Sequence, residues 1–382
     1  MELSDKGNNN LKIAFFSVLP PFRGGISNFS QFLLEELQGI TDVKAYTFKK
    51  LYPKLLFPGK SQEDSSLKVS SPRIVSTMNP FSYYKARKIM RKEKPDVFIV
   101  SYWMTIFAPM FYIFSKGFQK DVLKIALIHN LNPHEKRFFD RFFNRIFLKQ
   151  FDAFVVLSES VKNDLLLQKP NAPCILLKHP HYSHFGYAMD KTEARNILEI
   201  PTSSKVILFF GLIREYKGLD ILIESMNHLD DSYFLLIAGE IYGDKQFYTD
   251  RIKACKNSNV MLRDEYIPDR EVVHYFSSAD LCVLPYKKGT QSGVQAISDS
   301  LCTPVLVSRN GGLHEAVNDG LTGFIIEELN PIDLANKISA VFSKGELENV
   351  RNYLCREVTK RNEEWKNFAS DVHDFILDEK GK

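Results

Sequence analysis

The apolar positions of this chain fall into short runs that alternate with stretches of helical spacing, and the alternation occurs twice. The first series opens with the apolar run 11–18, which has the length and character of a strand buried on both faces. A loop through Pro20, Pro21, Gly24 and Gly25 follows, and 26–37 then repeats its apolar residues at helical spacing, with Ser27 placed to cap it. Further strand-like runs lie at 96–101, 124–128 and 153–157, separated by helical patterns. An extended connector, 170–180, carries its own short strand at 174–177. The pattern restarts after a helical segment at 191–198, with strands at 205–211, 233–238, 281–284, 304–307 and 323–326. Between them lie helices such as 218–227, 271–277 and 291–301.

Such alternation predicts an α/β chain with parallel sheets covered on both faces. Two series predict two Rossmann-like, doubly wound domains, 1–190 and 191–360, facing each other across a cleft. Ligands of such sheets bind beyond the carboxyl ends of the strands, with phosphates at helix N-termini. The last segment, 361–382, reads as an amphipathic helix with Trp365, Phe368, Val372 and Phe375 apolar, crossing back to the first domain.

Composition alters this picture little. An apolar share of 44% with 25% charged residues provides for two ordinary cores. The net charge of +4 is too mild to argue for nucleic acid. The five cysteines lie far apart without a CxxC pair, which indicates neither zinc nor a disulfide framework and fits a reducing cytoplasm. The first ten residues lack the apolar core of a signal peptide. The uncharged stretch 97–115 approaches the length of a membrane span, yet Ser101, Thr105 and Pro109 interrupt it, so a buried strand followed by a helix start is expected.

Candidate chemistry sits in the strand-to-helix loops. Gly24 and Gly25, between the first strand and its helix, let backbone approach a ligand, although a simple tight turn has the same pattern. Gly211 ends a strand, and Arg214 and Lys217 follow before a new helix; a planar fork and a point charge at that spacing can neutralise a diphosphate. Thr290, Gln291, Ser292, Gly293 and Val294 lead into a helix and offer hydroxyls and N–H groups to a phosphate, or an ordinary capped start. Gly311 and Gly312 make another close turn, with Glu315 on the helix after it. His129 ends a strand; with His134 and Glu135 it resembles a metal set, but Pro133 breaks the helical spacing such a set requires, so no metal is expected. The segment 137–149 interleaves aromatic and basic residues and reads either as a helix packed on the sheet or as a membrane-surface helix.

These segments, in this order from Ile13 to about Lys337, resemble the family-4 glycosyltransferases, retaining enzymes of the GT-B fold. The second-domain string of Phe210-Gly211, Gly218-Leu219, Ala238-Gly239-Glu240, Pro285-Tyr286 and Gly311-Gly312 carries the resemblance. It implies an acceptor-side first domain and a nucleotide-sugar-binding second domain. It further implies a UDP- or GDP-linked sugar as co-substrate with no other cofactor, no metal, and a glycan or lipid-linked acceptor. Arg214 and Lys217 resemble the pair that binds the donor diphosphate, Gly24 and Gly25 the glycine loop, and His129 the histidine near the donor sugar. Gly211, Thr290 to Val294 and Glu315 complete the expected donor set, and His129, Arg214 and Lys217 the catalytic one. The resemblance places such an enzyme in the cytoplasm, or peripherally at the inner face of the membrane, in cell-envelope or exported-polysaccharide synthesis. One departure stands out: where the family carries a pair of glutamates, this chain has Gly289 and Ile297. Asp299 or Glu315 is then left to hold the ribose, and a non-catalytic GT-B protein that scaffolds a glycan-assembly complex is the alternative.

Overall fold

A computed structural model describes residues 11–52, 61–64, 67–132, 138–182, 184–289, 292–310, 312–358 and 363–382. The chain packs as two compact units that divide between Lys178 and His179, inside the connector, and the segment from Glu363 onward returns to the first unit.

The first unit contains β1 (Lys12–Phe16), α1 (Gly25–Gln38), β2 (Asp42–Lys50), β3 (Arg73–Ser76), α2 (Pro80–Lys92), β4 (Val97–Tyr102) and α3 (Ala108–Ser115). It continues with β5 (Leu123–Ile128), α4 (Asp140–Leu148), β6 (Ala153–Val156), α5 (Glu159–Gln168) and β7 (Cys174–Leu176). Its seven strands are all parallel, in the order β3-β2-β1-β4-β5-β6-β7. The stretch 97–115 is thus a buried strand, a 3₁₀ turn at Thr105–Phe107 and a short helix. Among the described residues no helix is long and apolar enough to cross a membrane.

The second unit contains α6 (Lys191–Leu198), β8 (Lys205–Phe210), α7 (Leu219–Ser225), β9 (Tyr233–Ala238), α8 (Lys245–Ala254), β10 (Val260–Arg263) and α9 (Asp269–Ser278). Then come β11 (Leu281–Leu284), α10 (Gly293–Ser300), β12 (Val305–Ser308), β13 (Gly323–Ile326), α11 (Pro331–Ser343) and α12 (Glu346–Val358). Its six parallel strands run β10-β9-β8-β11-β12-β13. Both units therefore have the α/β, doubly wound form expected from the sequence. In each, strand order reverses between the first and fourth strands, β1/β4 and β8/β11. The crevice at that reversal is where such sheets bind ligands.

The final helix, α13 (Glu364–Lys380), packs on α1. Trp365 lies 5.1 Å from the Phe29 ring centre and 5.3 Å from that of Phe32, and Phe368 lies 5.6 Å from Phe29.

Two local expectations are corrected. Helix α1 starts at Gly25 with Gly24 as its N-cap, because Gly24 at φ 109° turns the chain earlier than a serine cap would. Ser27 is buried inside the first turn, its N–H donating to the Gly24 carbonyl at 2.9 Å. Second, Cys302 and Cys355 form a disulfide, with Cα atoms 5.1 Å apart across a sequence separation of 53. The packing of α12 beside α10 brings them together, which spacing along the chain cannot reveal.

Candidate active site

The second unit gathers most of the sequence-predicted residues on the two loops of its reversal point. The loop after β8 runs through Gly211, Arg214 and Lys217 to Gly218, and the loop after β11 runs from Pro285 to Ser292 at the start of α10. Glycine is required twice where these loops meet. Gly218 sits at φ 71°, and a Cβ there would run into the Pro285 carbonyl oxygen. Gly211, at φ 90°, leaves its α-carbon open to Val294 and to Lys217, whose Nζ would be 3.7 Å from an added Cβ. The Lys287 N–H ties the loops by donating to the Tyr216 carbonyl at 2.7 Å, and Lys287 Nζ pairs with Asp220 at 2.7 Å.

Lys217 is the electrostatic centre of this arrangement. It is only 8% exposed, its ammonium lies 5.4 Å from the Tyr286 ring centre, and no carboxylate among the described residues pairs with it. Burial, reinforced by the nearby Arg214 guanidinium, lowers its pKa to about 8. Arg214 stands over Tyr242 at 5.3 Å, and the Ile213 N–H donates to the Glu240 carbonyl at 2.9 Å, which binds this loop to the one after β9. Gly239 allows that approach, since a Cβ on it would collide with the Gly211 carbonyl.

Helix α10 faces the same loop region with its N-terminus. Ser292 is its N-cap, yet its side chain makes no capping bond and instead lies 3.2 Å from the Tyr286 hydroxyl. Among the described residues no side chain caps the N–H groups of this first turn, and the helix dipole lies behind them. Thr290 and Gln291 lie outside the described residues, as do Gly311, His134 and Glu135. Gly312 donates its N–H to the Gly289 carbonyl at 2.6 Å, which draws the turn after β12 to the same place. Glu315 is exposed on a single 3₁₀ turn, Leu313–Ala316, rather than on a full helix.

A Cβ on Gly289 would lie 2.7 Å from the Leu313 side chain and 3.1 Å from Tyr286, so this loop is shaped around a residue without a side chain. Ile297 is buried on α10. Asp299 is buried too, with a carboxylate oxygen 3.4 Å from His181 Nε2, so it is engaged at the start of the unit. Asp264, in the loop that holds Tyr266 and Ile267, accepts from the Ile241 N–H at 2.9 Å.

In the first unit Gly24 and Gly25 open α1 at the carboxyl edge of the sheet, and a Cβ on either would meet nothing within 4 Å. His129 follows β5 and is 4% exposed. Its backbone N–H donates to the Tyr102 carbonyl at 2.9 Å, and its ring meets Phe29 edge-on at 4.9 Å. Among the described residues no cluster of three or more His, Cys, Asp or Glu is close enough to hold a metal ion.

Sequence reasoning gave no site role to the aromatic residues beside the cations, Tyr242 at Arg214 and Tyr286 at Lys217, or to Tyr216, whose ring meets that of Tyr286. Each follows a strand end, Tyr242 beside Gly243 and Tyr286 beside Pro285, but a tyrosine of the core has the same placement.

Comparison with known proteins bears on the fold and the family. Residues 190–379 match the family described as Glycosyl transferases group 1, and residues 60–174 match Glycosyltransferase Family 4. Among curated relatives, the D-inositol 3-phosphate glycosyltransferase of Xylanimonas cellulosilytica is 25% identical over 166 residues, 41% of this chain and 38% of the relative. An uncharacterized glycosyltransferase of Methanocaldococcus jannaschii is 29% identical over 155 residues, 40% of this chain and 43% of the relative. The match thus spans about two fifths of these relatives. Among solved structures, sucrose-phosphate synthase of Thermosynechococcus elongatus superposes with a TM-score of 0.75 at 18% identity, covering 96% of this chain and 98% of the other. Anabaena HepE in complex with UDP gives 0.76 at 13%, covering 96% and 100%. With consecutive family matches on two doubly wound parallel sheets, the chain belongs to the family-4-type glycosyltransferases of the GT-B fold.

Proposed function

We propose that this protein transfers a hexosyl group, without a metal and with retention, from a UDP- or GDP-linked sugar to a glycan or lipid-linked acceptor. The observation that carries the donor assignment is Lys217, a nearly buried ammonium with no carboxylate partner among the described residues, close to the helix start whose N-cap side chain makes no capping bond. Such a charge is costly to bury unless an anion completes it. The UDP bound by the similar Anabaena structure supports a nucleoside diphosphate as that anion.

In this reading the bond between the anomeric carbon and the diphosphate breaks, and charge gathers on the leaving oxygen. Arg214, Lys217 and the N–H groups of Gly293 and Val294 stabilise it where water is scarce. The acceptor hydroxyl forms the new bond on the same face and passes its proton to the leaving phosphate. His129 is assigned to the donor sugar by its family position. The acceptor lies at the inner face of the membrane, in cell-envelope or exported-polysaccharide synthesis.

A thermal-shift series with UDP, GDP and their sugars tests the donor site. One nucleotide is expected to stabilise the protein, and the Arg214→Ala/Lys217→Ala double variant to lose that stabilisation. No shift with any nucleotide overturns the assignment. An inverted product by NMR would refute retention while leaving the donor site standing.

A second reading, a non-catalytic partner in a glycan-assembly complex, is favoured by one feature: Gly289 and Ile297 replace the glutamates, and the loop is packed around that glycine. Nucleotide release from the donor in the absence of acceptor, abolished in the double variant, excludes it.

A further inference from the structure

Helix α4 reaches the loop that carries His129 through one fully buried polar side chain, Asn144. Asn144 sits one turn before Phe147, which places both towards the core of the first unit. There Phe147 stacks on the Tyr102 ring, with centres 3.7 Å apart and planes 13° from parallel. The Tyr102 hydroxyl donates to Asn144 Oδ1 at 2.7 Å, and Asn144 Nδ2 donates to the Leu131 carbonyl at 2.8 Å. A carbonyl can only accept, which fixes the orientation of this amide and leaves its oxygen to the phenol. Tyr102 also ends β4, where its carbonyl accepts from the backbone N–H groups of His129 at 2.9 Å and Asn130 at 3.5 Å.

These bonds close a circuit around the loop after β5. The main chain of Tyr102 holds the loop at His129, and the side chain of Tyr102 orients the amide that holds it again at Leu131. The imidazole of His129 is met separately by Phe29 of α1.

Stability alone does not call for such a circuit. A buried amide and phenol give up water to bond each other, and apolar groups of the same shape would fill the space about as well. What a satisfied polar network adds is one arrangement in place of several. Burial, with the Asp140 carboxylate nearby, raises the pKa of Tyr102 well above its ordinary value, so the phenol keeps its proton and the circuit stays closed. Between its two ties lies an unsettled group. The amide oxygen of Asn130 is buried and has no hydrogen-bond partner among the described residues. An unmade buried bond costs stability, and such a cost persists where the surroundings over-determine a segment.

We propose that Asn144 is a positioning residue for His129, acting with Tyr102 to fix the loop after β5 so that the imidazole is set for the donor sugar in advance. This role presupposes the donor-sugar reading of His129 given above, while the phosphate groups of the second unit take no part in it.

Asn144→Leu and Tyr102→Phe each open the circuit and keep most of the volume, and each is combined with His129→Gln. Tyr102→Phe removes a single hydroxyl and keeps the stack on Phe147, so it serves if Asn144→Leu fails to fold. Nucleotide release from UDP-glucose and GDP-mannose without acceptor is followed over a range of donor concentrations. Each single variant is expected to lower kcat by about tenfold to a hundredfold, with KM within about twofold because the donor is held by its diphosphate. In the His129→Gln background neither should lower kcat further, since the group they position is already gone. Losses that multiply mark a merely structural role and overturn the proposal, as does a His129→Gln variant with unchanged kcat. A second readout needs no turnover. The imidazole resonance of His129, identified in isotope-labelled protein by its disappearance in His129→Gln, should shift and broaden in either circuit variant. A resonance identical to that of the wild type overturns the proposal even in a chain that releases no nucleotide. Thermal shifts with UDP and GDP should be the same in all these variants as in the wild type, so failure of the donor reading shows separately, as a wild type that no nucleotide stabilises.

Discussion

Lys217 holds a charge where water hardly reaches, and this sets a pH dependence. Its pKa of about 8 lies below that of an ordinary lysine at 10.5, so the fold favours the neutral form. Across the window from about 8 to 10.5 the unfolded chain binds more protons, and this residue's contribution to stability rises with pH there. Donor affinity should move the opposite way. It is expected to be level below pH 8 and to fall above it, approaching tenfold per pH unit, which calorimetry with UDP or GDP across that range would check. Calorimetry in buffers of different ionisation enthalpy should also register proton uptake on binding near pH 8. Gly218 gives a steric prediction. Gly218→Ala forces a side chain against Pro285 at positive φ and should cost about 2 kcal/mol or more, visible as a lowered melting temperature. The positions of Arg214, Lys217 and Gly211 were legible in the sequence because strand ends and glycines announce loops. The tyrosines around them were not, because a tyrosine after a strand reads equally well as core until the loops are folded.

At the scale of elements, the α1–α13 pair has the clearest consequences. Trp365 packs on Phe29, and Phe29 is the ring that meets His129. Trp365→Ala should therefore cost about 3–5 kcal/mol by the cavity it leaves. It should also lower turnover beyond the loss of folded protein, while nucleotide binding in the second unit persists; thermal melts, product assays and calorimetry on one sample separate these effects. The Cys302–Cys355 bridge joins the end of α10 to α12. Thiol titration in denaturant should count three free thiols before reduction and five after it, from Cys174, Cys255 and Cys282 alone in the first case. The buried central strands were readable as apolar runs, as with β4, β9 and β11. Strands β2, β3 and β10 were not picked out: β2 is hemmed by lysines, and β3 and β10 are four-residue edge strands, half buried, bearing an arginine at one end and too short to stand out from their surroundings.

At the scale of the whole chain, the two series of strands and helices made the doubly wound fold legible, since short apolar runs bounded by glycine and proline alternate with longer stretches of helical spacing. Pairing Cys302 with Cys355, and α13 with α1, needs contacts between residues far apart along the chain, and no local pattern records those. Both tryptophans, Trp103 and Trp365, belong to the first unit, so indole fluorescence follows that unit by itself. Ending the chain before Glu363 should lower the midpoint read by Trp103 fluorescence and leave the nucleotide-dependent transition of the second unit in place. The return of α13 also has a meaning in time. Roughly 180 residues of the second unit are synthesised between Lys178 and Glu363, which at about 5–20 residues per second takes about 10–40 s. For that interval the nascent first unit waits with Phe29 and Phe32 uncovered, a sticky patch that ribosome-associated chaperones would have to shield until its last helix arrives.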